Sequence, residues 1–483
     1  MSQILTPEEQ LKSLAKKNLE FNCESIAKLP ASGSYRQYYR LWGENRTIIG
    51  VYNEDKAENK AFLSFTRHFL EKGLPVPQIL AEALENNIYL LEDLGDVTLL
   101  SHIQQLDYPQ EVKPEVIAMY KRVLEELPRF QVLGGEGLDY SNCYPRHAFD
   151  RQSMMWDLNY FKYYFLKLAR VPFDEQALEN DFNTFCDYLL SADCNHFLYR
   201  DFQSRNVMIH NEKPYFIDYQ GGRKGALHYD IASVLFEAKT SLLPDVREEL
   251  LDHYLQSLNK LMPVSKDEFL KHFYGYVYIR LMQAMGAYGF RGLYEKKELF
   301  LQSIPLALNH LDWLLDNVTL PVDVPELRKV WEYLTESDYI RQLAKNQLSL
   351  RVAINSFSYR RGIPVDESSN GGGFVFDCRS VHNPGRYEQY KMLTGKDEPV
   401  QEFFRNEPEM DDFLENVTAL VDRSVEKYLS RGFTSLMINF GCTGGQHRSV
   451  YSAEQLYKHL SQKFRDSNVI FKLRHRELEV KGW

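Results

Sequence analysis

No stretch of this 483-residue chain holds the roughly 18–20 consecutive apolar residues that a membrane-spanning helix needs. The opening residues, Met1-Ser2-Gln3-Ile4-Leu5-Thr6-Pro7, lack the basic and apolar regions of a secretory signal. Cysteine is sparse. Six residues stand at 23, 143, 186, 194, 378 and 442, none in a Cys-x-x-Cys pair, so a disulfide scaffold is excluded and a reduced cytoplasm is the expected setting. There is no internal repeat and no Walker A loop. What is present reads as a globular protein of two or three domains, with 44% hydrophobic and 26% charged residues. The net charge of −10 falls almost entirely in the first two thirds, which argues against nucleic-acid binding there.

The most informative stretch is Asp201-Phe202-Gln203-Ser204-Arg205-Asn206, followed by Phe216-Ile217-Asp218. Phosphoryl transfer from a nucleotide needs an Asp to orient the acceptor hydroxyl and take its proton. It also needs an Asn and a second Asp to hold Mg²⁺ against the phosphates. Val207-Met208-Ile209 and Tyr215-Phe216-Ile217 predict a hairpin that returns Asp218 to Asn206. The plain alternative is a surface loop whose Asp and Asn only cap turns. The surrounding order favours catalysis. Strands are predicted around a turn at Gly43-Glu44-Asn45 and at Ile88–Leu91. A helix over 59–72 carries Phe62, Phe65 and Phe69 on one face, and residues 97–315 are mainly helical. Two parts depart from a protein kinase. Ser32-Gly33-Ser34 offers one glycine in place of G-x-G-x-x-G, and the strand Thr47–Tyr52 has no Lys for the phosphates. Lys56, Lys60 and Arg36 are the nearby cations.

Four stretches carry a resemblance: Ala31 to Arg40, Leu91 to Asp96, Tyr199 to Asn206, and Tyr229 to Leu235. Over residues 1–320 the chain resembles the aminoglycoside phosphotransferase family, and within it the anomeric kinases for N-acetylmuramate and N-acetylglucosamine. The resemblance implies an α+β bilobal protein-kinase-like fold, with a strand-rich N-lobe at 1–93 and a helical C-lobe at 94–320. It implies ATP or GTP with Mg²⁺ as donor and a sugar hydroxyl as acceptor, in cell-wall recycling. Asp201 maps to the base, Asn206 and Asp218 to the metal ligands, and Asp230 to a brace for the loop. Ser32, Gly33, Ser34, Arg36, Glu92 and Asp93 are the expected nucleotide contacts. Asp157, Asn159, Gln203 and Arg205 are the expected acceptor contacts, although the aromatic helix holding Asp157 and Asn159 reads equally well as core.

A connector is expected at 321–347 and a small α/β domain at 348–483, with a flexible turn at Ser368–Gly373. In that domain the strand Ser435–Phe440 meets Gly441-Cys442-Thr443-Gly444-Gly445-Gln446-His447-Arg448-Ser449 and then an amphipathic helix. A glycine turn at a helix N-terminus aims free backbone N–H groups at an anion. Cys442 and Arg448 also satisfy C-x₅-R, the spacing of cysteine-dependent phosphatases. The fuller match lies elsewhere. Ile354 to Pro364, Phe376 to Arg379, His382 to Gly385, Leu393 to Gly395, the 441–449 loop and Arg474 to Leu478 resemble the C-terminal domain of the RNase adapter RapZ. That resemblance implies an aminosugar-phosphate site at Cys442–Ser449 with Arg379, Asn383 and His475, and RNA or protein partners. The combined expectation is a cytoplasmic amino-sugar kinase joined to a sugar-phosphate sensor. The competing readings are an aminoglycoside-modifying enzyme and a non-catalytic regulatory adapter.

Overall fold

Apolar and polar residues alternate through two early segments, and in the computed structural model these pair around the predicted turn. β1 (Ser25–Lys28), β2 (Gln37–Trp42), β3 (Thr47–Tyr52), β4 (Ile79–Ala83) and β5 (Ile88–Glu92) make one antiparallel sheet in the order β1-β2-β3-β5-β4. The structure describes residues 5–30, 36–106, 113–295, 297–340, 349–365, 372–431 and 433–481. β1 and β4 escape a reading of sequence pattern because they are short edge strands. β1 is mostly exposed, and the register of β4 slips between Ile79 and Ala81.

α1 (Pro7–Leu19) opens with a capping box between Thr6 and Glu9 and buries Leu11, Leu14 and Ala15 against Leu41, Ile48 and Leu90 of the sheet. α2 (Lys56–Glu71) begins three residues before the predicted Asn59. Asp55 accepts hydrogen bonds from the amides of Ala57 and Glu58, both at 3.0 Å, and so fixes the first turn. Its face of Phe62, Phe65 and Phe69 is buried as the periodicity predicts.

The helical part follows, with α3 (Leu99–Gln105), α4 (Pro114–Pro128), α5 (Arg151–Phe161) and α6 (Glu175–Leu190). Two small antiparallel pairs interrupt it. β6 (His196–Leu198) pairs with β9 (Arg223–Gly225), and β7 (Val207–His210) pairs with β8 (Lys213–Phe216) as the expected hairpin. α7 (His228–Leu235), α8 (Pro244–Asn259), α9 (Lys266–Tyr288), α10 (Glu298–Leu301), α11 (Ser303–Asn317) and α12 (Pro325–Glu336) follow before the second sheet. α12 falls in the expected connector, yet it is docked. Trp331 stacks on Tyr278 at 4.1 Å, and Asp181 accepts the amide of Leu327 at 2.8 Å. The chain divides into two compact units, Met1–Phe290 with Leu306–Glu336, and Arg291–Pro305 with Ser337–Trp483. The first unit therefore extends past the boundary expected at 321. Among the described residues, no helix is long and apolar enough to cross a membrane.

The second unit is built on a wholly parallel sheet. β10 (Leu350–Ser358), β11 (Gly373–Asp377), β12 (Ser435–Cys442) and β13 (Val469–His475) lie in the order β11-β12-β10-β13. The turn expected at Ser368–Gly373 lies mostly outside the described residues. Val352, Ile354, Leu436 and Ile438 of the sheet pack on Val417 and Val421 of α14 (Pro408–Ser430) and on Ala453 and Leu456 of α15 (Arg448–Lys463). α13 (Glu398–Arg405) adds Val400 and Phe404 to a smaller cluster with Met410 and Tyr451, and α16 (Arg476–Lys481) closes the unit.

Gly445 sits between β12 and α15 at φ 65°, and a Cβ there would lie 2.3 Å from Cγ of Glu477. Gly444 beside it has nothing within 4 Å of such a Cβ. Gly445→Ala is expected to destabilise the protein by about 1–3 kcal/mol. Gly444→Ala should leave stability nearly unchanged. Denaturant unfolding of the two variants checks this.

Candidate active site

The catalytic loop leaves β6 through a strained residue. Arg200 has φ 81°, a region that residues with a Cβ seldom occupy. Three contacts hold it. Asp230, fully buried at the start of α7, accepts the amides of Tyr199 at 2.8 Å and Arg200 at 3.0 Å. Asp157 on α5 takes both terminal nitrogens of the Arg200 guanidinium at 2.7 and 2.8 Å. The hydroxyl of Tyr229 accepts a further bond from Arg200 at 2.6 Å. Burial pushes the pKa of Asp230 up to about 7, and the two backbone N–H groups oppose that rise by favouring the carboxylate. Burial works against the charge on Arg200, and Asp157, Tyr229 and Asp201 together outweigh it.

Asp201 follows directly. The side chain of Asn206 folds back so that Nδ2 donates to the backbone carbonyl of Asp201 at 2.8 Å and to Oδ2 of Asp218 at 3.2 Å. The hairpin therefore does what the spacing of twelve predicts, bringing Asn206 and Asp218 together. With Nδ2 turned inward, Oδ1 of Asn206 and the carboxylate of Asp218 are hard oxygens of the kind a divalent cation takes. Burial raises the pKa of Asp218, the charge of Asp201 raises it further, and Gln220 and Arg36 counter both.

β3 carries no lysine, and the nearest buried cation is Arg36, the residue that precedes β2. Nη2 of Arg36 pairs with Oε1 of Glu58 on α2 at 3.2 Å, and the guanidinium lies over Phe62. Gln220 donates to Oε1 of Glu58 at 3.3 Å and to Oδ1 of Asp218 at 2.8 Å. A continuous chain of contacts runs from Arg36 through Glu58 and Gln220 to Asp218. Glu58 and Gln220 were not among the expected site residues. The available signal was an acid on the first turn of α2 in a lobe that lacks a strand lysine.

Asp218 borders a cleft of about 580 Å³ lined by Ile49, Leu91, Met208 and Ile217 on its apolar walls and by Arg205, Asn206 and Asp218 itself at its polar end. Glu92 and Asp93 also line it. Asp93 is held by Arg40, with Nε at 2.7 Å, and Glu92 accepts the amide of Gln78 at 3.2 Å. Ser32, Gly33 and Ser34 lie outside the described residues. Of the expected acceptor contacts, Gln203 reaches Oδ1 of Asp201 at 3.4 Å and Arg205 is exposed. Asn159 is half-buried on α5. Asp157 is spent on Arg200 and so positions the loop instead of presenting a free carboxylate to a sugar.

In the second unit the expected anion loop lies at the carboxyl end of β12, on the same side as the ends of β10, β11 and β13. Thr443 and Gly444 are exposed, as are Arg360, Arg361 and Arg379. Several expected ligands are turned inward. Arg448 donates to the carbonyls of Arg379 at 3.0 Å and Val381 at 2.9 Å, so its guanidinium anchors the segment after β11. Gln446 donates to the carbonyls of Lys391 and Leu393, and His447 bonds the carbonyl of Tyr390. Cys442 is buried, accepts the amide of Gly445 at 3.2 Å and meets Ser449 at 3.1 Å. That geometry lacks the arginine clamp a cysteine phosphatase needs. His475 is held by Ser356 and Glu454, and Asn383 accepts the amide of Gly385. Arg379 is bound to Asp377 over the ring of Tyr359.

Asp230→Ala strands two buried amides beside the strained Arg200. The expected cost is about 1–3 kcal/mol for each amide. Denaturant unfolding measures it, and a loss below that of an ordinary surface substitution would contradict the bracing role.

Residues 25–264 match the phosphotransferase enzyme family, and residues 350–479 match the RapZ C-terminal domain. A nucleotide-binding protein of Idiomarina loihiensis is 33% identical over 191 residues, covering 39% of this chain and 63% of its own. Another from Cereibacter sphaeroides is 42% identical over 130 residues, covering 27% of this chain and 40% of its own. The chain thus spans less than two thirds of the length of either curated relative. Among solved structures, choline kinase LicA from Streptococcus pneumoniae is similar at 15% identity and TM-score 0.43, covering 63% of this chain and 99% of that one. Choline kinase from Cryptosporidium parvum is similar at 13% identity and TM-score 0.45, covering 67% and 99%. The chain joins a domain of the phosphotransferase enzyme family, over residues 25–264, to a RapZ C-terminal domain, over residues 350–479.

Proposed function

We propose that the first unit transfers the γ-phosphate of ATP or GTP to a hydroxyl of an N-acetylated amino sugar, N-acetylmuramate or N-acetylglucosamine, at the anomeric position. The observation that carries the reading is the meeting of Asn206 and Asp218 at the polar end of one cleft, with Asp201 tied to Asn206 through its backbone carbonyl and the Arg36–Glu58 pair tied to Asp218 through Gln220. The base of the nucleotide fits between Ile49, Leu91, Met208 and Ile217, against the backbone of Leu91–Asp93. Arg36 takes the part of a strand lysine at the phosphates, and Glu58 orients it. Oδ1 of Asn206 and the carboxylate of Asp218 hold Mg²⁺, which neutralises phosphate charge when bound. Asp201 orients the acceptor hydroxyl and takes its proton as the new bond to phosphorus forms. The choice of an N-acetyl sugar rests on the resemblance of the 31–40, 91–96, 199–206 and 229–235 stretches.

The second unit, in this reading, binds an aminosugar phosphate at the open ends of its parallel strands, where loops of such sheets take ligands. Exposed Thr443 and Gly444 offer the backbone, and Arg379 the charge. A phosphorylated sugar bound there reports on the same class of compound that the first unit makes.

Asp201→Asn is expected to lower kcat by about 10²–10⁴-fold while nucleotide binding persists, because it removes the proton acceptor and leaves the cleft intact. Coupled ADP release with either sugar measures it, and near-wild-type turnover would refute the role. Arg36→Met should raise the KM for the nucleotide by about tenfold, or about 1.4 kcal/mol. Chelation of divalent cations should abolish turnover and their return should restore it.

A further inference from the structure

Just beyond the proposed metal ligand Asp218 stands a cation that phosphoryl transfer leaves unused. Arg223 opens β9, in register with Leu198 of β6, three residues before Asp201. It is only 7% exposed. Its Nε donates to the carbonyl of Gly221 at 3.0 Å. Its two Nη groups meet no hydrogen-bond or ionic partner among the described residues, and neither is sealed from solvent. A guanidinium buried to this degree without a counter-ion is costly unless something else pairs with it.

Gly221 ties this cation to the chemistry. A Cβ built there would lie 3.7 Å from Oδ2 of Asp201, so the backbone that Arg223 grips runs along the catalytic carboxylate. Burial disfavours the charge on Arg223 most, Arg200 disfavours it further, and Asp157, the hydroxyl of Tyr229 and Asp201 favour it. Arg200 and Asp157 already neutralise each other through two bonds. Lys224, next along the chain, turns its ammonium to the ring of Tyr140 at 5.1 Å. Among the described residues, Arg223 is thus a buried cation without an ionic partner close to the loop of Asp201. It is not part of the nucleotide cleft, whose polar end is made by Arg205, Asn206 and Asp218.

We propose that Arg223 reads the acceptor: its free Nη groups pair with a carboxylate on the sugar, so that the enzyme takes an acidic amino sugar in preference to its neutral parent. The inference rests on the kinase reading and narrows it. N-acetylmuramate carries a carboxylate on its ether side chain, and N-acetylglucosamine has a hydroxyl at that position. A planar guanidinium matches a carboxylate with two parallel hydrogen bonds, which an ammonium does not reproduce. The pairing also offsets the repulsion that Asp201 exerts on an anionic acceptor. A site built around such a bond rejects the analogue that lacks the group, because its own charge is then left buried and unpaired.

The test is the ratio of kcat/KM for N-acetylmuramate over N-acetylglucosamine in the wild type, Arg223→Gln and Arg223→Lys. The wild type is expected to favour the acid by about tenfold or more, the range expected for a charge-assisted pair. Arg223→Gln should bring the ratio close to one, with the change lying mainly in KM for the acid, and Arg223→Lys should restore part of it. A ratio that stays constant while both sugars lose turnover would overturn the proposal and assign Arg223 to the transferred phosphoryl group or to the fold. A wild type that favours the neutral sugar would overturn it as well. Turnover of neither sugar would refute the amino-sugar reading itself. Calorimetric binding of the two sugars to the Mg-ADP complex then decides the Arg223 claim. Loss confined to the acid in Arg223→Gln supports it, and equal binding by both proteins refutes it.

Discussion

The left-handed backbone of Arg200 is the constraint on which the rest of the site depends. At φ 81° the chain turns sharply out of β6 just before Asp201. Such a conformation costs on the order of 1–3 kcal/mol and persists only where its surroundings over-determine it. Here they do. Asp230 fixes the two amides around the turn, Asp157 and Tyr229 fix the side chain, and the hydroxyl of Tyr199 donates to the carbonyl of Ile217 at 2.7 Å. That last bond ties the strand before the loop to the segment carrying Asp218. The carboxylate of α5 and the carboxylate of α7 thus hold one turn from opposite ends, and Asn206 and Asp218 take their places from it.

A second network links the small sheet to this turn. Glu58 bonds Arg36 and Gln220 through Oε1, and Asn53 donates to its Oε2 at 2.7 Å. α2 is fixed at its first turn by Asp55, so Glu58 cannot slide relative to β3. β3 carries no lysine, and Arg36 before β2 is the cation paired with α2. Gln220 extends that pair to the carboxylate of Asp218.

Local features of this architecture were legible in the sequence. The hairpin from Val207 to Phe216, the alternation of β2 and β3, the phenylalanine face of α2 and the strand–loop–helix around Gly441 all follow from contacts within a few residues. Asp230 was legible because it starts the helix that follows the loop. What the sequence hid depends on distant partners. The Arg36–Glu58 pair joins residues on a strand edge and a helix, with no periodic signal between them. Asp157 looked like a sugar ligand because its partner Arg200 is forty-three positions away. Arg448 looked like an anion clamp, but in the segment after β11 the carbonyls of Arg379 and Val381 need donors, and the guanidinium supplies them.

In the proposed function the two units act on one type of molecule by different means. The first gathers carboxylates and an amide around a nucleotide cleft, and the second opens the ends of four parallel strands beneath a glycine loop. The most direct measurement is ³¹P NMR of a reaction containing the protein, Mg-ATP or Mg-GTP, and N-acetylmuramate. Expected is one new sugar phosphomonoester, coupled to the anomeric proton and formed in step with the nucleoside diphosphate. Nucleotide that binds yet yields no phosphomonoester on any N-acetylated amino sugar would contradict the assignment of the first unit as an amino-sugar kinase.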